Sequence, residues 1–484
     1  MGLLGILVGL LLLVWLAFRG WSVLVLAPVA GLVAAAFGGE PLLANWTQTF
    51  MGSAATFLAQ FFPLFLLGAV FGKLMEDSGS VTAVARFMTE KLGKSRAMLA
   101  VVLAGAAVTY GGVSLFVALF VLAPMAQTLF RTAGIPGRLM PAAIVLGTST
   151  FTMSALPGTP SIQNAIPMPF FGTTPFAAPG LGILAALIML GFGLWWLNRA
   201  EQAARRRGEG FGAEVAVQPD AAADDEHVRE RATTAREFDP AEIVHGKAAP
   251  ATPSFASAAA PIVVVILVNL GLSLIVLPKL DLGFLAKPEW GGTSASAVTG
   301  VWSVMTALIC AILTVLALNF RRMPNLRTTI DAGVNASALP AINVASLVGF
   351  GAVVAAMPAF GVVREAVLGI GGGPLVSLAV ATNTLAALTG SASGGLTIAL
   401  DALGATYLAQ AAHIGMDPAI LHRVAVIGSG TLDSLPHNGA VVTLLSVCGS
   451  THKDSYKDIF MVGILGAILA LVVVIVLGSL VGSF

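Results

Sequence analysis

Charge is scarce in this chain. Lys, Arg, Asp and Glu together make up 10% of its 484 residues, where a soluble domain carries about 25%, so a water-facing globular surface is excluded. The net charge of +1 removes any global attraction to nucleic acid. Cysteine is nearly absent: Cys310 and Cys448 lie far apart in apolar surroundings and define neither a disulfide framework nor a metal site. No basic region precedes the first apolar run, "GLLGILVGLLLLVWLAF" at 2–18, which therefore reads as a retained helix and not a signal peptide. HExxH is missing, and "GKS" at 93–95 lacks the glycine that a phosphate-binding loop needs five positions before Gly93, since Met88 stands there. No cofactor is expected.

What the chain has is apolar length. Its mean hydropathy is +0.91 and 57% of its residues are hydrophobic, the composition of a polytopic membrane protein. Spanning runs fall near 2–18, 21–37, 56–75, 139–163, 176–198, 257–279, 298–319, 338–358, 418–448 and 459–482. Two further segments, 97–130 and 373–411, are each split by small residues, "TYGGVS" at 109–114 and "TGSASGG" at 389–395. They read as re-entrant hairpins, because irregular backbone survives at membrane depth only where protein buries it or water reaches it.

Placing the N-terminus outside puts 21 of the 25 basic residues on the inner side and leaves Lys279, Lys287, Arg364 and Arg423 outside, the bias of the positive-inside rule. Both termini then lie outside, at a bacterial cytoplasmic membrane. Between the halves, 199–255 holds 8 basic and 11 acidic residues among Ala and Pro. It reads as a cytoplasmic, mostly disordered tether.

An internal echo organises the rest. "LPGT" at 156–159 recurs as "LPHN" at 435–438, and each follows a glycine-rich tip by about the same distance. The expected units are 1–198 and 256–484, each with three spans, a hairpin, a broken span and a last span. Five crossings per half force the second copy to be inverted. The fold is thus an all-α polytopic membrane protein of two inverted repeats, with about ten crossings plus two hairpins. Discontinuous helices in inverted repeats mark the binding site of a secondary transporter. Single breaks could be packing kinks; two breaks with two matched tips argue for a transport site.

Interrupted helices free backbone N–H groups at partly positive helix ends, which suits an anion. The tips offer Gly111, Gly112, Ser114, Ser391, Ser393 and Gly394; the breaks and their flanks offer Gly158 and Asn438. Hydroxyls come from Thr148, Ser149, Thr150, Thr152 and Thr159 in the first repeat, and from Thr389, Ser429 and Thr431 in the second. Any one of them alone is as easily spent on its own helix; clustered at four breaks they favour ligand contact. The inferred core contains no Lys or Arg, so a small monocarboxylate is expected over citrate or succinate. Asp433, inside the second break, is the first candidate for proton coupling, with His437 four positions on and Asp401 as a weaker third. A mutually satisfied Asp433–His437 pair is the structural alternative. Asn383 could serve Na⁺ or merely cap a hairpin arm.

These residues carry a resemblance. The first tip, "TSTFTMSALPGTPSIQNAIP" (148–167) and "SGTLDSLPHNG" (429–439) resemble the gluconate permease (GntP) family of the ion transporter superfamily, nearest its hydroxybutyrate-type branch. The resemblance covers nearly all of the chain outside the charged tether. It implies a proton-coupled importer of small hydroxy-acid anions, working as an elevator within a homodimer, with the lipid bilayer as its setting. Na⁺ coupling and an anion channel are the alternatives. Enzyme readings, such as a hydrolase pairing Ser393 with His437, find no nucleophile motif in support.

Overall fold

The computed structural model describes residues 1–19, 21–113, 115–212, 252–323 and 325–484. No strand occurs among them. In lipid a backbone amide has no water to bond, so apolar runs close their hydrogen bonds within helices.

The two halves repeat one order of elements. Two helices, α1 (Gly2–Phe18) and α2 (Val23–Gly38), lead into a long one, α3 (Leu42–Asp77). A short amphipathic helix, α4 (Ser80–Leu92), comes next, and then hairpin A, made of α5 (Ala97–Tyr110) and α6 (Leu115–Ala133). A broken helix begins as α7 (Met140–Thr148), is irregular through break A (149–161) apart from one turn at Phe151–Ser154, and resumes at Ile162–Ala165 and Pro167–Phe171. The half closes with α8 (Pro179–Arg206).

The second half follows the same plan. It comprises α9 (Phe255–Lys279), α10 (Ala295–Asn319), the long α11 (Leu326–Ala356) and the short α12 (Phe360–Leu368). Hairpin B is α13 (Pro374–Thr389) and α14 (Ala392–His413). The second broken helix is α15 (Pro418–Thr431), break B (432–438) and α16 (Gly439–Val447), and α17 (His452–Leu480) ends the chain. Local chemistry sets these starts. Pro179, Pro374 and Pro418 sit at first helical positions, where a missing N–H is no loss. Asp417 and Asn438 cap α15 and α16 with their side-chain oxygens.

Inversion is visible in contacts. On one face Arg138, ahead of α7, binds Asp458 of α17 at 2.6 Å and Glu209, beyond α8, at 2.7 Å. Trp196 Nε1 donates to the same Asp458, at 2.9 Å. On the opposite face Ser483 bonds Asp417, and Gly180 N donates to the Phe484 carbonyl at 2.6 Å. The first broken helix therefore starts on the face where the second one ends. The long helices α3 and α11 run antiparallel through the middle. They approach so closely that a Cβ on Gly333 would lie 2.7 Å from Val70 Cα. Small residues permit such contacts, and in lipid this dispersion contact, not water exclusion, holds helices together.

Two expectations need correction. The last span of the first half was placed at 176–198, but α8 continues to Arg206, and the charged segment is helical at its start. Arg423 was counted on the outer side, but it lies inside α15 and is 0% exposed. The first broken helix is already irregular at Ser149, ahead of the "LPGT" echo, because Ser149 and Thr150 leave helical geometry. The remainder of the tether, 213–251, and Ser114 lie outside the described residues.

The contacts predict sidedness. In a variant lacking Cys310 and Cys448, Lys94→Cys and Arg207→Cys should react with an impermeant maleimide from one face only, and Lys287→Cys and His413→Cys from the other. Labelling of all four from the same face would contradict the inverted arrangement.

Candidate functional site

Each hairpin tip is tied to the break of its own half. Tyr110, at the tip of hairpin A, donates its hydroxyl to the Pro157 carbonyl at 2.7 Å. Asn269 of α9 covers the neighbouring Gly158 carbonyl at 3.0 Å. In the second half Asp433 Oδ1 accepts from Ala392 N, the first residue of α14, at 2.9 Å, and from Asn438 Nδ2 at 3.0 Å. Asn438 also donates to the Gly390 carbonyl at 3.1 Å, and His437 Nε2 meets the Ala387 carbonyl at 3.2 Å. These bonds meet backbone groups that lipid would leave orphaned.

Between the tips and the two long helices lies a cavity of about 190 Å³. Its walls come from hairpin A (Thr109, Gly112, Val113, Leu115), break A and its continuation (Thr148, Ser161, Gln163), α3, α11 and Ser393 of hairpin B. The N-terminal ends of α6 and α14 thus face it, and helix N-termini carry partial positive charge. Such a volume falls below the roughly 300–1,000 Å³ of pockets for drug-sized molecules and suits a small solute.

The hydroxyl protons are largely spent. Thr148 donates to the Ile144 carbonyl at 2.8 Å, Thr150 to Leu146 at 2.8 Å, and Thr152 to Gly147 and Thr148 at 3.1 Å each. Thr389 bonds Leu385 at 2.7 Å, Thr431 bonds Ile427 at 2.7 Å, and Ser429 bonds Val426 at 2.9 Å. On the cavity wall Thr109, Ser161 and Ser337 likewise donate to the Gly105, Met153 and Val334 carbonyls. These side chains still accept hydrogen bonds, but their protons point elsewhere.

Of the residues singled out from sequence, Gly112, Thr148 and Ser393 line the cavity. Ser149 shares a 3.1 Å bond with Thr148, and Thr159 Oγ1 accepts from Ser161 N at 3.4 Å within break A. Ser391 caps α14 by accepting from Gly394 N at 3.2 Å. Gly111 packs on Ile262, and Gly394 on Leu347. Asp433, His437 and Asn438 hold the backbone of tip B, as above. Asp401 sits more than two turns into α14 on an exposed face. Asn383 donates to its own helix, to the Ala379 carbonyl at 2.8 Å. Among the described residues no three His, Cys, Asp or Glu side chains gather closely enough to hold a metal ion.

Sequence reasoning missed a buried polar hub, and it wrongly held the core free of Lys and Arg. Arg423, 0% exposed, donates to the Ala177 carbonyl at 2.7 and 3.2 Å and to Asn164 Oδ1 at 3.4 Å. Asn164 Nδ2 reaches the carbonyls of Thr159 and Pro175, each at 3.0 Å. That fixes the amide's orientation and makes its oxygen the acceptor for His422 Nε2 at 3.1 Å. His422 Nε2 therefore carries the proton, and Nδ1 accepts from the Thr173 hydroxyl at 2.6 Å. One buried cation thus braces break A through carbonyl and amide oxygens. Gln163, one residue before the hub, was also missed.

The comparisons agree with this architecture. A profile described as the GntP family permease matches residues 1–169. The uncharacterized transporter YxjC of Bacillus subtilis (strain 168) is 39% identical over 490 residues, covering 99% of this chain and 100% of that protein. The crystal structure of the Alcanivorax borkumensis YdaH transporter, reported for its unusual topology, is similar in fold, with a TM-score of 0.50. The alignment covers 90% of this chain and 88% of that one at 15% identity, so the likeness speaks to fold alone.

Gly112 adopts φ +92°, and a Cβ there would lie 2.9 Å from the Pro160 ring. Gly112→Val should abolish uptake while leaving normal amounts of protein in the membrane; wild-type uptake by this variant would separate the tip from the transport path. On fold, site and sequence together, this chain is a membrane permease belonging to the GntP permease family.

Proposed function

We propose that the protein is a secondary active transporter that carries a short hydroxy-monocarboxylate together with a proton. The observation that supports this reading best is the cavity's supply of hydrogen-bonding groups. Two positive helix ends favour a carboxylate, and a ring of hydroxyl oxygens with spent protons accepts from a hydroxyl on the cargo. Arg423, the fully buried cation of the broken helices, offers one positive charge, which matches a single carboxylate better than the three of citrate.

Charge also supports proton coupling. The hairpins and broken helices hold one fully buried cation, Arg423, and one half-buried acid, Asp433. With Asp433 ionised these balance. An incoming anion then leaves an excess negative charge in a low-dielectric interior, which is costly, and a proton on Asp433 restores the balance. The cavity lies between the hairpin-and-break body and the long helices, which suits an elevator in which that body slides past α3 and α11. A homodimer in the cytoplasmic membrane belongs to the same reading, with both termini outside and the charged segment inside. Moving Arg423 from the outer side into the core leaves three basic residues outside, which strengthens the charge bias behind this orientation.

Uptake into proteoliposomes, with imposed pH or Na⁺ gradients, tests the reading. Accumulation of 3-hydroxybutyrate should rise as external pH falls and should resist citrate at equal concentration. Dependence on Na⁺ instead of protons, or citrate outcompeting the hydroxy acid, would overturn it. Asp433→Asn, which imitates the protonated acid, should retain exchange of bound substrate and lose concentrative uptake. Unchanged pH-driven accumulation in that variant would remove Asp433 from the coupling.

A further inference from the structure

Gln163 is 6% exposed, lines the cavity and makes no side-chain hydrogen bond among the described residues. Burying a carboxamide without a partner is unfavourable, so an open one at a cavity wall points to a ligand group that completes it. Its neighbour Asn164 is the opposite case. All of that side chain's polar atoms are engaged with Thr159, Pro175, His422 and Arg423. The hub therefore fixes the Ile162–Ala165 turn, and with it the position from which Gln163 projects. The amide is held in place by its backbone and left open at its tip.

Resting on the reading of the cavity as a hydroxy-acid site, we propose that Gln163 recognises the hydroxyl of the cargo. A hydroxyl both donates and accepts, and so does a carboxamide, through Oε1 and Nε2. A carboxylate only accepts, and against Gln163 it would face the amide oxygen as well as the amine, so it is better placed at the helix ends of hairpins A and B. Thr109, Thr148, Ser161 and Ser337 spend their protons on carbonyls. They can receive the hydroxyl's proton but cannot donate to its oxygen. Gln163 can do both.

The test compares 3-hydroxybutyrate with butyrate, which lacks the hydroxyl, in proteoliposome uptake and in ligand-induced thermal stabilisation of purified protein. Wild type should favour the hydroxy acid by about tenfold, the worth of one neutral hydrogen bond. In Gln163→Leu that ratio should fall to near one, through loss of the hydroxy acid with butyrate unchanged. Gln163→Asn should give an intermediate ratio. A wild-type ratio retained in Gln163→Leu overturns the assignment while leaving the hydroxy-acid reading intact. Equal loss of both acids in the Leu and Asn variants makes Gln163 structural and overturns it too. Wild type that does not distinguish the two acids defeats the cavity reading itself, and this inference with it.

Discussion

Lipid offers no hydrogen bonds, and every interruption of a helix within it must be met by the protein, by water or by cargo. That constraint orders the whole structure. Break A is met by Tyr110, Asn269 and Asn164, and tip B by Asp433 and Asn438. With so much of the irregular backbone accounted for, the open Gln163 amide stands out against its surroundings. A polar group without a partner among the described residues is informative here because its neighbours are so well satisfied.

The repeats share a backbone plan and divide the chemistry. Break A is braced by a cation from the other half, since Arg423 of α15 reaches the carbonyls of Ala177 and Ser154. Break B contains the acid, and its carboxylate holds the start of α14. Arg423 therefore acts on break A from α15, while Asp433 lies in break B, where it accepts from the Ala392 amide and from Asn438. This arrangement lets one change protonation without breaking a direct ion pair with the other.

Much of the fold was legible in sequence because hydropathy and glycine carry it. The hairpins expected at 97–130 and 373–411 appear at 97–133 and 374–413, since "TYGGVS" and "TGSASGG" interrupt apolar runs too short to cross twice. The amphipathic α4 and α12 were harder to see, because a short helix lying between two apolar segments merges with them in any hydropathy window. At the site, the types of side chain were visible and their commitments were not. Nothing in "GTSTFTMS" says that Thr148, Thr150 and Thr152 each turn back on their own helix. Arg423 follows Pro418 by five residues and was counted on the outer side; its partners at Ala177 and Asn164 are about 250 residues away and cannot be read locally. Gln163 was overshadowed by the hydroxyls, although an amide pair directly after a Pro-rich break in so apolar a chain was a signal.

The way each tip is fastened to its own break has a consequence for biogenesis. Tyr110 and Pro157 are 47 positions apart, Gly390 and Asn438 48, and Ala392 and Asp433 41. The bonds between halves, such as Arg423 to Ala177 and Arg138 to Asp458, join positions 246 and 320 apart. Short separations close early and long ones late, and a chain made from its N-terminus folds its first units first. The first hairpin and break can therefore settle in the membrane while the ribosome is still translating the second. Until Arg423 arrives, that half waits with the Ala177 and Ser154 carbonyls without their guanidinium partner. The nascent chain passes through an interval in which its earlier half depends on the translocon or on water, and translation of α15 ends it.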